Sequence, residues 1–103
     1  MENFVQGGKV GELQSGEMKL VEAGSETLLL INVQGELYAI NNECTHASCD
    51  LVDGNLEDDT VECGCHGARF NVKSGAVEAP PALEPVRTYG VRIEGDNIMI
   101  GPV

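Results

Sequence analysis

The sequence has no basic residue over a long central stretch: neither lysine nor arginine occurs between Lys19 and Arg69. The chain of 103 residues carries a formal charge of −11 at pH 7. Nucleic acids and anionic membrane surfaces attract basic faces, so this charge argues against both as partners. It is compatible with a basic partner protein, or with a solvated surface that keeps a small domain in solution. The acidic residues of the stretch are Glu22, Glu26, Glu36, Glu43, Asp50, Asp53, Glu57, Asp58, Asp59 and Glu62.

Long apolar runs and a leader sequence are also missing. A membrane-spanning helix needs roughly 20 consecutive apolar residues, whereas the longest aliphatic run covers only residues 28–31. Residues 1–10 do not combine a charged segment with a following apolar segment, so no secretory signal is predicted. We therefore expect no membrane association and a cytoplasmic location.

Helical periodicity and internal repeats are absent as well, and turn-forming residues are frequent. The chain has 13 glycines and 4 prolines, which is typical of short strands joined by turns. Strands are predicted at residues 17–21, 27–33, 36–40, 60–62, 68–72, 86–94 and 98–100, with a tight hairpin at Gln34-Gly35 and a rigid extended loop at residues 78–85. Phe4 and Tyr89 are predicted core aromatics, with Val91 and Ile93 on the same strand face as Tyr89. The prediction is one all-β domain over residues 1–103, an antiparallel barrel or sandwich with a small subdomain inserted between its middle strands.

Cysteine and histidine occur only within one short interval. The chain contains four cysteines and two histidines, at Cys44, His46, Cys49, Cys63, Cys65 and His66. They form two groups, ECTHASCD and ECGCHGARF. Elsewhere the sequence offers no nucleophile with an orienting partner and no paired-carboxylate site, so we expect no catalytic residues.

Three kinds of chemistry could explain this clustering. A pure disulfide framework belongs to oxidising compartments and would leave both histidines unexplained. A structural zinc site normally draws C-x2-4-C and H-x3-5-H pairs, whereas each group here supplies one cysteine and one histidine. An iron–sulfur cluster with two cysteines on one iron and two histidines on the other requires that mixed supply from two loops. The small residues nearby would let backbone N–H groups approach the sulfurs; they are Ala47, Ser48, Gly64 and Gly67.

The C-x-H and C-x-x-H spacings resemble the two cluster-binding boxes of the Rieske family. The resemblance implies one [2Fe–2S] cluster per chain, with Cys44 and Cys63 on the buried iron and His46 and His66 on the outer iron. It covers essentially the whole chain. It implies a cluster-binding subdomain at about residues 42–82 and a basal β domain at about residues 1–41 and 83–103.

The end of the chain is similar to that of the small Rieske-type ferredoxins that feed ring-hydroxylating dioxygenases. The similarity lies in residues 79–82 and 85–89, and it implies that residues 79–81 form a proline loop over the cluster. The implied function is a monomeric one-electron carrier, not itself an enzyme, between a flavin-containing reductase and a terminal oxygenase. Two alternatives are a small Rieske-like subunit of an assimilatory nitrite reductase or other multi-subunit oxidoreductase, and a fragment of a membrane-bound respiratory Rieske protein, which the missing anchor disfavours.

One departure from the dioxygenase-type ferredoxins is a second cysteine pair. Cys49 and Cys65 match the extra pair of the respiratory and photosynthetic Rieske proteins, which implies a Cys49–Cys65 disulfide between the two loops. Most dioxygenase-type ferredoxins do not have this pair. Because cytosolic thiols are normally kept reduced, a reduced pair is the alternative.

A second departure concerns the hydroxyl groups near the cluster. High-potential Rieske proteins carry Ser and Tyr where this chain has Ala68 and Phe70, and there the hydroxyls donate to a cluster sulfur and a ligand sulfur. Their loss and the acidic surroundings predict a potential near the low end of the Rieske range, roughly −150 to +300 mV. Arg69 and Lys73 are the nearest basic residues, and they are either docking residues or part of a solvated strand edge.

Overall fold

The computed structural model describes residues 3–44, 49–65, 67–80 and 84–102, which form two antiparallel sheets. The strands are β1 Val5–Lys9, β2 Met18–Ala23, β3 Glu26–Val33, β4 Glu36–Asn41, β5 Asn55–Glu57, β6 Thr60–Glu62, β7 Arg69–Asn71, β8 Val77–Ala79, β9 Thr88–Glu94 and β10 Asn97–Gly101. One turn of 3-10 helix, Leu51–Asp53, is the only helical element of these residues. The predicted all-β fold class is confirmed.

The larger sheet has six strands in the order β1-β10-β9-β4-β3-β2. It curls until its edge strands β1 and β2 line the two sides of one cleft, formed by residues 6–8 and 19–22. The sheet is therefore close to a barrel. At the β3–β4 turn, Gln34 and Gly35 have φ of 53° and 93°, which is the left-handed geometry that a two-residue hairpin needs. The hairpin predicted at this pair is present.

The smaller sheet has four strands, in the order β5-β6-β7-β8, and lies between β4 and β9 in the chain. Its strands bring one row of apolar side chains into register, and these pack on a buried core: Leu56, Val61, Phe70 and Val77. Glu62 and Arg69 pair on the opposite face, which is polar. Like any half-buried sheet, it has one apolar and one hydrated face.

Strand β3 is buried on both faces. Leu28 and Leu30 belong to the core inside the near-barrel, whereas Leu29 and Ile31 belong to the core between the two sheets. All four side chains are 0% exposed. Residues 28–31 therefore read as a continuous aliphatic run, because neither face of this strand meets water.

Three strand assignments differ from the sequence prediction. β1 and β5 were not predicted, since VQGGK is rich in glycine and NLE is short and polar. Residues 78 and 79 were predicted as the start of an extended loop, but they belong to β8, where Val77 pairs with Phe70. The prolines that suggested a loop begin only at Pro80, so they do not interfere with this pairing.

The predicted core aromatics divide into one buried and one partly buried residue. Tyr89 is 8% exposed and belongs to the barrel core, as predicted. Phe4 is only partly buried, and the Arg92 guanidinium lies 4.0 Å from its ring centroid. Ile93, predicted on the same strand face as Tyr89, is 51% exposed although it pairs with the buried Ile98.

No helix within the described residues is long and apolar enough to cross a membrane.

Candidate metal centre

The first cysteine loop follows β4 and closes as a small hairpin. Glu43 and Asp50 form an isolated antiparallel bridge, and the Cys44 N–H donates to the Cys49 carbonyl oxygen at 2.9 Å. Cys44 is 2% exposed and belongs to the core between the two sheets. The hairpin therefore turns this cysteine inward.

The second cysteine loop connects β6 to β7. The Cys63 N–H donates to the Ala68 carbonyl at 2.7 Å, and the Gly67 N–H donates to the Cys63 carbonyl at 3.1 Å. Gly67 has a φ of 77°, a conformation that glycine adopts without strain. Cys63 is 1% exposed, whereas Gly64 and Cys65 lie at the surface. This loop also directs one cysteine inward and one outward.

The two outer cysteines join the loops. Cys49 and Cys65 form a disulfide with their Cα atoms 6.5 Å apart, the pairing that the resemblance implied. The Cys63 sulfur and the two disulfide sulfurs all lie within 4.8 Å of one another. The four cysteines thus divide into a disulfide and a buried pair, Cys44 and Cys63, with one member of each pair in each loop.

This division fits the predicted cluster, which needs one buried thiolate from each of two linked loops. His46 and His66 lie outside the described residues, as does Pro81 of the predicted proline loop. The ligand set Cys44, His46, Cys63 and His66 and the role of residues 79–81 therefore stay predictions.

Two residues that the sequence interpretation missed hold the first loop in place. Asn42 is 3% exposed; its backbone carbonyl accepts from the Leu51 N–H at 2.7 Å, and its side-chain oxygen accepts from the Val52 N–H at 2.9 Å. A Cβ on Gly54 would collide with the backbone carbonyl of Glu62, so only glycine allows this approach to β6. Gly54 looked like an ordinary turn residue in sequence. Asn42 gave no signal, because its partners lie about ten residues further along.

The surroundings of the loops are acidic. Asp50 and Asp53, together with the disulfide and Gly64, line an open depression of about 430 Å³. Arg69, the basic residue nearest to the second loop, forms an ion pair with Glu62, because its Nε lies 3.0 Å from Glu62 Oε2. An exposed ion pair of this kind contributes only about 0–1 kcal/mol. Arg69 is thus a half-exposed residue on the inner strand β7, and the choice between the two predicted roles stays a prediction.

A polar contact network links the barrel to the first loop. The Tyr89 hydroxyl donates to Glu26 Oε2 at 2.7 Å, and burial raises the pKa of Tyr89 above its ordinary value of 10.0. The Asn41 amide nitrogen lies 3.5 Å from the Tyr89 oxygen, and the Asn41 side-chain oxygen accepts from the Glu43 N–H at 2.9 Å. Glu43, the residue just before Cys44, is therefore anchored to the side chain of Asn41, the last residue of β4. Through Asn41 it is connected to Tyr89 in the barrel core.

Known proteins similar to this chain are Rieske proteins and ferredoxin components of dioxygenases. The model of the family described as "Rieske [2Fe-2S] domain" matches residues 3–90. The "Biphenyl 2,3-dioxygenase, ferredoxin component" of Rhodococcus jostii (strain RHA1) is 46% identical over 90 residues, which cover 87% of this chain and 84% of that protein.

Solved structures share the fold. The ferredoxin of carbazole 1,9a-dioxygenase from Nocardioides aromaticivorans IC177 matches with a TM-score of 0.92 and 29% identity, over 98% of this chain and 99% of that one. A chain in the complex of reduced oxygenase and oxidized ferredoxin in carbazole 1,9a-dioxygenase matches with a TM-score of 0.93 and 25% identity, over 99% and 95% of the two chains. A putative NADH-dependent nitrite reductase small subunit from Mycobacterium tuberculosis has a TM-score of 0.83 at 16% identity over 97% and 95% of the chains, which shows the fold alone.

Proposed function

Because the chain belongs to the Rieske [2Fe–2S] domain family, we propose that it is the electron-carrying ferredoxin of a ring-hydroxylating dioxygenase system. It carries one [2Fe–2S] cluster per chain, and the similar proteins are electron-transfer components, not the catalytic oxygenases. The observation that carries the proposal is the pair of buried cysteines, Cys44 and Cys63, at the inner sides of two linked loops.

In this proposal Cys44 and Cys63 bind one iron, and His46 and His66 bind the other. When bound, the cluster accepts and releases a single electron. Cys44 and Cys63 are 2% and 1% exposed, so the protein shields the thiolate side from water. In the proposed arrangement the two histidines bind the outer iron, and this gives electrons a short path to the surface.

The proposal extends to the organisation and the partners of the protein. The four-stranded sheet and the two cysteine loops form the cluster-binding subdomain, about residues 42–82, and the near-barrel forms the basal domain. A flavin-containing reductase supplies the electron and a terminal oxygenase receives it, in transient complexes with a monomeric cytoplasmic carrier. The charge of −11 favours docking to basic surfaces on these partners.

The first test determines the cofactor. Anaerobically purified protein should contain iron and inorganic sulfide, and after dithionite reduction it should give a rhombic EPR spectrum with an average g of roughly 1.9, typical of mixed Cys/His ligation. Cys44→Ser or His46→Ala should abolish that spectrum, whereas Cys49→Ser, a matched change in the same loop, should leave it detectable. A protein that binds only zinc, or no metal, would contradict the proposal.

The second test determines the role. The holoprotein should replace the ferredoxin in a reconstituted biphenyl dioxygenase assay and restore substrate-dependent product formation. A stable stoichiometric complex with an assimilatory nitrite reductase, together with no activity in the dioxygenase assay, would favour the subunit alternative instead.

A further inference from the structure

Only two polar side chains are buried among the described residues, and both are asparagines. Asn32 is 8% exposed and lies near the end of β3, before the Gln34-Gly35 hairpin. Asn42 is 3% exposed and lies directly after β4, at the base of the first cysteine loop. Burying an amide is unfavourable unless it is hydrogen-bonded, so each of these side chains needs hydrogen-bond partners inside the protein.

Asn42 holds both ends of the first cysteine loop. Its N–H donates to the Thr27 carbonyl at 3.0 Å, which extends the β3–β4 ladder by one residue. Its carbonyl accepts from the Leu51 N–H at 2.7 Å, and its side-chain oxygen accepts from the Val52 N–H at 2.9 Å. One residue thus closes the loop of residues 43–50 at its base and fixes that base to the larger sheet.

The closed base determines where the loop cysteines lie. Just above it, Glu43 bridges Asp50, and the Cys44 N–H reaches the Cys49 carbonyl at 2.9 Å. These contacts form a continuous ladder from Asn42 to Cys44 and Cys49. The side-chain contact to Val52 is the one part of it that depends on the identity of residue 42, because every residue except proline supplies the same backbone groups.

We infer that Asn42 is a positioning residue for the cluster: its side chain holds the base of the first cysteine loop closed, so that the Cys44 thiolate stays inside the core. The inference rests on the proposed function, since it takes Cys44 as a cluster ligand. Without the amide, the Val52 N–H loses its acceptor and the loop base can open, which admits water to Cys44. Solvent favours the more negative, reduced form of a cluster, so the reduction potential should rise.

The matched control is Asn32, a buried residue of the same type whose side chain also hydrogen-bonds to backbone groups, at the opposite end of β3. Its Nδ2 donates to the Leu13 carbonyl at 2.8 Å, and its Oδ1 accepts from the Gly35 N–H at 2.8 Å. Asn32→Ala therefore also removes a buried amide and its backbone contacts. Its hydrogen-bond partners, Leu13 and Gly35, belong to neither cysteine loop.

The experiment compares Asn42→Ala, Asn32→Ala and wild-type holoproteins. Urea unfolding measures the general loss of stability, which we expect to be at least as large in Asn32→Ala, because that change removes two side-chain hydrogen bonds. Release of iron to a chelator and a redox titration report on the cluster. We expect Asn42→Ala to release iron about fivefold faster than Asn32→Ala, the factor that one net hydrogen bond represents, and to have a more positive potential. Equal release rates and equal potentials in the two variants would overturn the inference.

A milder pair covers the case in which Asn42→Ala does not fold. Asn42→Ser and Asn32→Ser leave smaller cavities, and the same difference between the sites is expected; no difference between them overturns the inference. The wild-type protein separates this inference from the proposed function. If wild type holds no [2Fe–2S] cluster, the proposed function fails, whereas a normal wild type with equivalent variants refutes only the role of Asn42.

Discussion

Cys49 and Cys65, 16 positions apart in sequence, are joined by a disulfide that connects the outer sides of the two cysteine loops. Their neighbours Cys44 and Cys63 point the other way, into the core. The loops are therefore held together at the surface by one cysteine pair, while the other pair is buried beneath them.

Removing this disulfide should destabilise the protein. We expect the double variant Cys49→Ser/Cys65→Ser to lose about 2–4 kcal/mol in free energy of unfolding, because the bond restricts a loop of this length in the unfolded chain. Urea unfolding of the anaerobic protein measures the loss. Titration with a thiol reagent after denaturation and cluster removal should detect only Cys44 and Cys63 in wild type. Reaction of all four cysteines would mean that the pair is reduced.

Restoring hydroxyl groups beside the second loop should raise the reduction potential. Ala68 and Phe70 are both 0% exposed, and Ala68 accepts the Cys63 N–H. If Ala68→Ser and Phe70→Tyr each favour the reduced cluster by about 1–2 kcal/mol, each potential rises by about 40–90 mV. Wild type should lie near the low end of the Rieske range.

Redox titration monitored by circular dichroism measures these potentials. Val72→Thr serves as the control, because it adds a hydroxyl to the same core without belonging to the cysteine loops. Potentials that stay unchanged in Ala68→Ser and Phe70→Tyr would show that the hydroxyls do not reach the cluster or its ligands. A wild-type value above about +100 mV would contradict the predicted low potential.

Gly54→Ala should be severely destabilising. The new methyl group would collide with the Glu62 carbonyl, which belongs to the strand leading into Cys63, and backbone on both sides must shift to relieve it. We expect a loss of more than about 3 kcal/mol, in the range of overpacked or strained sites. Gly24→Ala is the control: Gly24 has a φ of 66° but open space around it, so only about 1 kcal/mol of backbone strain is expected. Similar unfolding free energies for the two variants would refute the steric argument.

Tyr89 should make the protein less stable at alkaline pH. Its pKa is raised by burial and by the hydrogen bond to Glu26, so the folded protein binds the hydroxyl proton more tightly than the unfolded chain does. The resulting stabilisation is complete below about pH 10 and is lost as the pH rises through the raised pKa. Tyr89→Phe should therefore show a shallower decline in unfolding free energy above pH 10 than wild type.

The other tyrosine of the chain provides the comparison for this experiment. The pKa of Tyr38 is also raised, mainly by its hydrogen bond to Glu36, but this residue lies outside the barrel core. Unfolding curves of Tyr38→Phe, Tyr89→Phe and the double variant between pH 9 and 12 separate the two contributions. A Tyr89→Phe profile parallel to that of wild type would show that Tyr89 is not the group responsible.

Much of the fold was predictable because local signals agreed with it. The aliphatic run at residues 28–31 marked the doubly buried strand, and Gln34-Gly35 marked the hairpin beside it. β1 and β5 were missed since they are strands by pairing and not by composition: β1 is held by β10 from the far end of the chain. Such long-range pairing leaves no local pattern to read.

The candidate site was also predictable only in part. The spacing of cysteines and histidines was visible in sequence, because a ligand set is a property of residue types. The residues that hold the first cysteine loop in place were not visible. Asn42 looked like the end of a strand, and the need for glycine at position 54 arises from Glu62, on another strand. Supporting contacts of this kind depend on packing, which the order of residues does not display.

The doubly buried strand β3 bears on how the molecule unfolds. Its alternate side chains complete two cores at once, one inside the near-barrel and one beneath the cysteine loops. Neither core can lose this strand without exposing the other, so the two halves should melt as one cooperative unit. Amide hydrogen exchange should therefore be slowest along β3. The core beneath the cysteine loops should become exposed to water only when the whole protein unfolds.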